Sequence, residues 1–140
     1  MKTSARNALR GVVETIVEGA VNSEVILRVS SDTAIVAIVT RESVAELGLA
    51  PGKAAMALVK SSFVILAGAE APKTSARNCL PGVVTRHVQG AVNDEVVLEI
   101  DQAQTITATL TRESAELLGL REGAKAHALI KASHVILAVD

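Results

Sequence analysis

Tryptophan and tyrosine are missing from the 140-residue chain, and phenylalanine occurs once, at Phe63. A module that grips single-stranded nucleic acid stacks bases on aromatic rings above a basic groove, and neither part is present in this sequence. Fourteen Lys and Arg stand against fifteen Asp and Glu, a net charge of −1. No global positive field draws in a polyanion, so any anion site must be local. Cysteine is equally scarce: the single Cys79 excludes an intramolecular disulfide and fits a reducing compartment. The sequence also lacks a long apolar run, a leader-like segment and a lipidation motif, which leads to the expectation of a soluble, cytoplasmic protein.

Catalytic signatures are lacking too. His87, His127 and His134 occur where the corresponding positions 71 residues earlier are Ile16, Met56 and Phe63, so machinery common to both halves cannot use them. No His, Cys and carboxylate spacing of the zinc type is present, and no nucleophile stands near a base or in a glycine-rich phosphate loop. The expectation is a chain that is not an enzyme and holds no directly coordinated metal cation.

What the chain has is repetition. Lys-Thr-Ser-Ala-Arg-Asn occurs at 2–7 and again at 73–78, and the offset of 71 holds without a gap to the end. Val12-Val13 returns as Val83-Val84, Gly19-Ala20-Val21-Asn22 as Gly90-Ala91-Val92-Asn93, Thr40-Arg41-Glu42-Ser43 as Thr111-Arg112-Glu113-Ser114, and Val64-Ile65-Leu66-Ala67 as Val135-Ile136-Leu137-Ala138. More than half of the aligned positions are identical. The reading is a first domain at 1–68, a linker at 69–72 and a second domain at 73–140. Units of roughly 65 to 70 residues are small for a single core. With 49% apolar residues and almost no aromatics, the cores must be built from Val, Ile, Leu and Ala, which fill a narrow barrel. The remaining apolar surface points to oligomerisation.

Within the first repeat, alternation predicts strands at 7–17, 24–29, 34–39, 54–60 and 63–67, with a helix at 41–47. Gly48 followed by Leu49 reads as a left-handed helix stop, and Pro51-Gly52 as a turn. Five strands with a helix between the third and fourth is the order of an OB-type barrel, so the fold expected is all-β: two tandem OB-type five-stranded barrels, each with one short helix. In 105–111 the alternation turns Ile106, Ala108 and Leu110 inward and the threonines outward. Their counterparts Ala34, Val36 and Ile38 are apolar, which predicts a covered outer face in the first repeat and a wetter one in the second.

The polar residues that recur are mostly donors: Ser4, Arg6, Asn7, Thr40, Ser43 and Lys60 are matched by Ser75, Arg77, Asn78, Thr111, Ser114 and Lys131. An anion without protons needs donors on several sides and no lone pairs facing it. Thr40 falls where a helix cap belongs and Ser43 in the first turn, so hydroxyls converge there whether the pair binds a ligand or only caps. The second repeat keeps Ser114 while the glutamate of a capping box becomes Leu117. For Arg6 and Arg77 an exposed charge at a strand start is the plain alternative, and Asn22 and Asn93 read equally as turn formers.

Ser-Ala-Arg-Asn-x-Leu-x-Gly-x-Val, Gly-Ala-Val-Asn-x-Glu-Val, Thr-Arg-Glu-Ser and the late Lys-Ser together resemble the Mop domain of molybdate-binding proteins, twice over. The chain is thus similar to a tandem (di-Mop) molbindin. The resemblance implies OB-type domains assembled as six, here a homotrimer of two-domain chains in the cytoplasm, which binds molybdate or tungstate for storage and buffering without an organic cofactor. It implies oxyanion ligands at subunit or domain interfaces: Ser4, Arg6, Thr40, Ser43, Lys60 and Ser61 in the first repeat, and Ser75, Arg77, Thr111, Ser114 and Lys131 in the second. Ala132 stands where the pattern has Ser61, leaving only its backbone N–H. A second class of site near the threefold axis would use Val21, Asn22, Val92 and Asn93. The alternative of a single-stranded nucleic-acid-binding OB module is disfavoured by the missing aromatics and charge.

Overall fold

The computed structural model describes residues 1–101 and 104–140. The chain folds as two compact units, one made of residues 1–59 with 131–140, the other of residues 60–130. Each is a five-stranded antiparallel sheet, and the two are OB-type domains in tandem. No helix among the described residues is long and apolar enough to cross a membrane.

In the first unit, β1 (Asn7–Glu18), β2 (Asn22–Arg28) and β3 (Ala34–Thr40) form a meander, α1 (Arg41–Leu47) follows, and β4 (Ala54–Val59) pairs back onto β1. The fifth strand is not the expected one from the same repeat. It is β10 (Ile136–Ala138), whose Leu137 lies opposite Ala57 of β4, giving the order β10-β4-β1-β2-β3. The second unit has the reciprocal arrangement. Here β5 (Ile65–Ala67), from the first repeat, pairs with β9 (Lys125–Ile130), which continues into β6 (Asn78–Val88), β7 (Asn93–Asp101) and β8 (Gln104–Thr111), with α2 (Arg112–Leu118) after β8. The compact units therefore do not coincide with the repeats at 1–68 and 73–140: each borrows its last strand, and the 3-10 turn ahead of it, from the other repeat.

The cores are aliphatic. Leu9, Val13, Val25, Leu27, Ile35, Ala37 and Val59 are buried in the first unit, joined by Val135 and Leu137. In the second, Leu80, Val84, Val96, Leu98, Ile106, Ala108 and Ile130 are joined by Val64 and Leu66. Each Val, Leu or Ile so buried contributes about 1.5–3 kcal/mol, and short side chains let the sheets curl tightly. That curl is visible at Gly11, where an added Cβ would stand 2.5 Å from the Arg28 carbonyl oxygen, and at Gly82, 2.8 Å from that of Glu99. A bulge follows in each strand, between Val13 and Thr15 and between Val84 and Arg86, and adds twist.

The first helix ends as anticipated at Gly48, and the second ends in the same way: Gly48 and Gly119 have φ of 63° and 62°, and Leu49 and Leu120 fold back to donate to the carbonyls of Val44 and Ala115. The outer face of the third strand departs from expectation in the second repeat. Thr105 is exposed, but Thr107 is 7% exposed and Thr109 half-buried. The reason is the borrowed turn: Ser61–Phe63 packs on β8, just as Ala132–His134 packs on β3.

Candidate functional site

Thr40 caps α1 in extended backbone geometry and accepts the Ser43 N–H at 3.1 Å, while its own hydroxyl donates to Ser43 Oγ at 2.8 Å. Thr111 and Ser114 repeat the arrangement at 3.2 and 2.8 Å. The capping reading is thus realised in both repeats, and it leaves something over. Because Thr40 gives its proton to Ser43, the Ser43 O–H is committed to neither partner of that pair and remains a donor, on a half-buried side chain.

In the first unit Ser43 lines a cavity of about 330 Å³. The walls come from Asn22 on β2, Ile38, Val39 and Thr40 on β3, Ser43 and Leu47 on α1, and Ser133, Val135, Ile136 and Leu137 along the turn that leads into β10. Asn22 lies opposite Thr40 in the β2–β3 ladder, and Asn93 likewise opposite Thr111. The residue expected at a threefold axis, Asn22, is therefore brought to the hydroxyl pair. Ser133 is an addition to the expected ligands. Its recurrence as Ser62 is the signal that could have found it, masked by the Lys-Ser pattern one position earlier.

The exchange of strands regroups the remaining candidates. Lys60 and Ser61 belong to the second unit with Thr111 and Ser114, and Lys131 and Ala132 to the first with Thr40 and Ser43. The turn that carries Lys60 and Ser61 crosses over with its strand, so the division of these candidates by unit differs from their division by repeat. Lys60 Nζ lies 5.7 Å from the centre of the Phe63 ring, a cation over an aromatic face. Ser61 Oγ is 2.8 Å from Thr109 Oγ1, and Ala132 is buried.

The duplicated Lys-Thr-Ser-Ala-Arg-Asn segment divides its labour. Thr3 and Thr74 accept the N–H of Ala5 and Ala76 at 3.2 Å, which fixes the same turn in both copies. Asn7 and Asn78 are each 2% exposed, and the Asn78 side-chain amide donates to the Ile130 carbonyl at 3.2 Å, tying the strand start to β9. Recurrence alone makes these two asparagines candidate ligands; burial gives them a structural task instead. Ser4, Arg6, Ser75 and Arg77 are exposed, and Ser4 and Arg6 are not on the wall of the first unit's cavity. Val21 and Val92 project at 70% and 74% exposure.

Two of the histidines are engaged away from the hydroxyl pairs. His127 Nδ1 is 2.9 Å from the Gly68 carbonyl oxygen, and His87 pairs with Asp94. Among the described residues no group of three or more His, Cys, Asp or Glu is placed to hold a metal ion. The cavity wall is largely aliphatic, with Asn22, Thr40, Ser43 and Ser133 as its polar groups and no charged side chain among its lining residues.

Comparison with known proteins agrees on the unit of repetition. The TOBE domain model matches residues 3–66 and 74–137. The molybdenum-pterin-binding protein MopA of Rhodobacter capsulatus is 46% identical over 140 residues, 99% of this chain and 53% of its own length. The molybdenum transport protein ModE of Azotobacter vinelandii is 43% identical over 139 residues, 99% of this chain and 52% of its own. The chain therefore spans about half the length of these curated relatives. A crystal structure of the cytoplasmic molybdate-binding protein ModG, with molybdate bound, superposes with a TM-score of 0.95 at 44% identity and covers the whole of both chains.

Proposed function

Because the chain belongs to the TOBE-domain family, as a tandem Mop-type molbindin, we propose that it binds molybdate, and tungstate of the same shape and charge, and that it stores and buffers the oxyanion without transforming it. The observation that carries this reading is the duplicated hydroxyl pair, Thr40 with Ser43 and Thr111 with Ser114, held in the same geometry in both units and, in the first, opening into a cavity. The full-length likeness to a molybdate-bound ModG supports the choice of ligand.

The chemistry favours molybdate over its commonest competitor. Molybdate near neutral pH is a dianion with no proton to place, so every contact it seeks is a donor, and charge-assisted bonds of this kind are the strong ones. Phosphate keeps a proton that needs an acceptor. In the first unit Ser43, Asn22 and Ser133 supply donors, with Lys131 in the adjoining turn supplying charge; Ser114, Asn93, Ser62 and Lys60 are the counterparts in the second, where Ser61 stands in place of Ala132.

Ser4 and Arg6, with Ser75 and Arg77, complete the sites from neighbouring copies. A homotrimer held together through the exposed valines and isoleucines brings these arms over the hydroxyl pairs. The protein acts in the cytoplasm, where a reduced Cys79 is stable. Calorimetric titration with molybdate, sulfate and phosphate in turn tests the proposal. Saturable heat with molybdate and little with phosphate is expected; tight binding of single-stranded oligonucleotides with no molybdate heat would favour the nucleic-acid reading.

A further inference from the structure

The turn ahead of the last strand has one backbone in both units but ends on different rings. Lys60 and Lys131 enter it with φ of −66° in each and ψ of 134° and 131°. Phe63 and His134 then donate their N–H to the Lys60 and Lys131 carbonyls, each at 2.9 Å. In the second unit the Phe63 ring centre lies 5.7 Å from the Lys60 Nζ, and the corresponding position in the first unit carries an imidazole. His134 is half-buried, and its chain neighbours Ser133 and Val135 both line the first unit's cavity. Consecutive Cα atoms are about 3.8 Å apart and the Debye length is about 10 Å, so salt does not screen a charge at this position from the cavity.

We infer that His134 is an affinity-determining residue of the first unit's oxyanion site, and that a proton taken up on its imidazole accompanies binding there. The inference rests on the oxyanion-binding reading above. Histidine is the side chain that ordinarily changes charge between pH 5 and 8. The turn packs on β3 and leads into β10, and neither strand carries a titratable residue. The neighbouring charges are Lys131 on the turn itself and Arg41, Glu42 and Glu46 on α1, side chains of types that ordinarily keep their charge over that range. A dianion in the cavity draws a proton onto the ring, and the charged ring holds the dianion by the same free energy. One unit charge acting on a dianion across this range in water changes affinity about three- to fivefold. The phenyl ring of Phe63 has no proton to take up, so the second unit's site lacks this response.

The test is calorimetric titration of the full chain with molybdate at pH 8 and at pH 6, in buffers of different ionisation heat. For part of the bound molybdate, affinity is expected to rise about three- to fivefold at the lower pH, with uptake of a fraction of a proton per chain. His134→Phe, which installs the ring the other turn already accommodates, removes the rise and the proton uptake. Binding at pH 8, where an ordinary imidazole is neutral, is the reference for this variant. Phe63→His extends the response to the remaining sites. A pH response that survives in His134→Phe belongs to His87 or His127 and overturns the inference, as does an unaltered chain that binds with the same affinity and heat at both pH values. Absence of molybdate heat at either pH overturns the function on which the inference rests as well.

Discussion

His87 Nε2 lies 2.6 Å from Asp94 Oδ2, and the other oxygen of that buried carboxylate accepts the Gly90 N–H at 3.2 Å. The pair closes the hairpin between β6 and β7 and has no counterpart in the first repeat, where the positions are Ile16 and Ser23. The Ser23 hydroxyl, 1% exposed, has no hydrogen-bond partner among the described residues. One hairpin is thus tied by an imidazole and a carboxylate, the other by packing.

The tie has a pH signature. The hydrogen bond from His87 is the main influence on Asp94; it outweighs the desolvation that opposes it, and with the Gly90 N–H and the charges of His87 and Arg112 it holds the carboxyl below the ordinary aspartate value of 3.8. A depressed folded-state value means the contribution is fully present above 3.8 and is lost as pH falls through the lower folded value. Asp94→Asn is expected to lower the melting temperature at neutral pH, with the gap to the parent closing as the pH is taken below 3.8. Parallel melting curves across that range would contradict the assignment.

Capping and ligand binding can be separated at the hydroxyl pair. Thr40→Val removes the acceptor of the Ser43 N–H, and loss of such a cap costs about 1 kcal/mol. Thr111→Val costs the same in the second unit. Denaturant melts measure this. A change well under ~0.5 kcal/mol in both variants would show that the caps are solvated rather than structural.

Deleting residues 131–140 tests the strand exchange. The first unit loses β10, its edge strand, and the cavity wall formed by Ser133, Val135, Ile136 and Leu137. Hydrogen exchange of the truncated chain is expected to show faster amides in β4, with β9 protected by β5 as before. Loosening of β9 with β4 unchanged is the pattern of two self-contained repeats and would refute the exchange.

That exchange was the part of the fold hidden from the sequence. Strand and helix positions were legible because Val, Leu and Ile alternate along the strands and Thr and Gly mark the ends of both helices. The origin of the fifth strand was not, because β5 and β10 carry the same Ile-Leu-Ala and fit either sheet equally well. Only side-chain matching separates the alternatives, and the pairing of Ser61 with Thr109 is visible once the partner strand is known. The candidate site was legible in its donors, Thr40 with Ser43 and Thr111 with Ser114. Its grouping was not, since Lys60 and Ser61 travel with the exchanged strand. Recurrence also could not separate the buried Asn7 and Asn78 from the exposed Ser4 and Arg6, because a structural tie and a ligand are repeated with equal fidelity.

In the proposed function the Ser43 and Ser114 hydroxyls, left to donate beside the threonines that cap each helix, hold the oxyanion. Equilibrium dialysis of Ser43→Ala with Ser114→Ala against molybdate, read by elemental analysis of molybdenum, addresses it directly. Neither serine supplies the cap oxygen, so the fold is expected to survive, with bound molybdenum at subsaturating ligand falling at least about tenfold. Unchanged molybdenum per chain in the folded double variant would contradict the account.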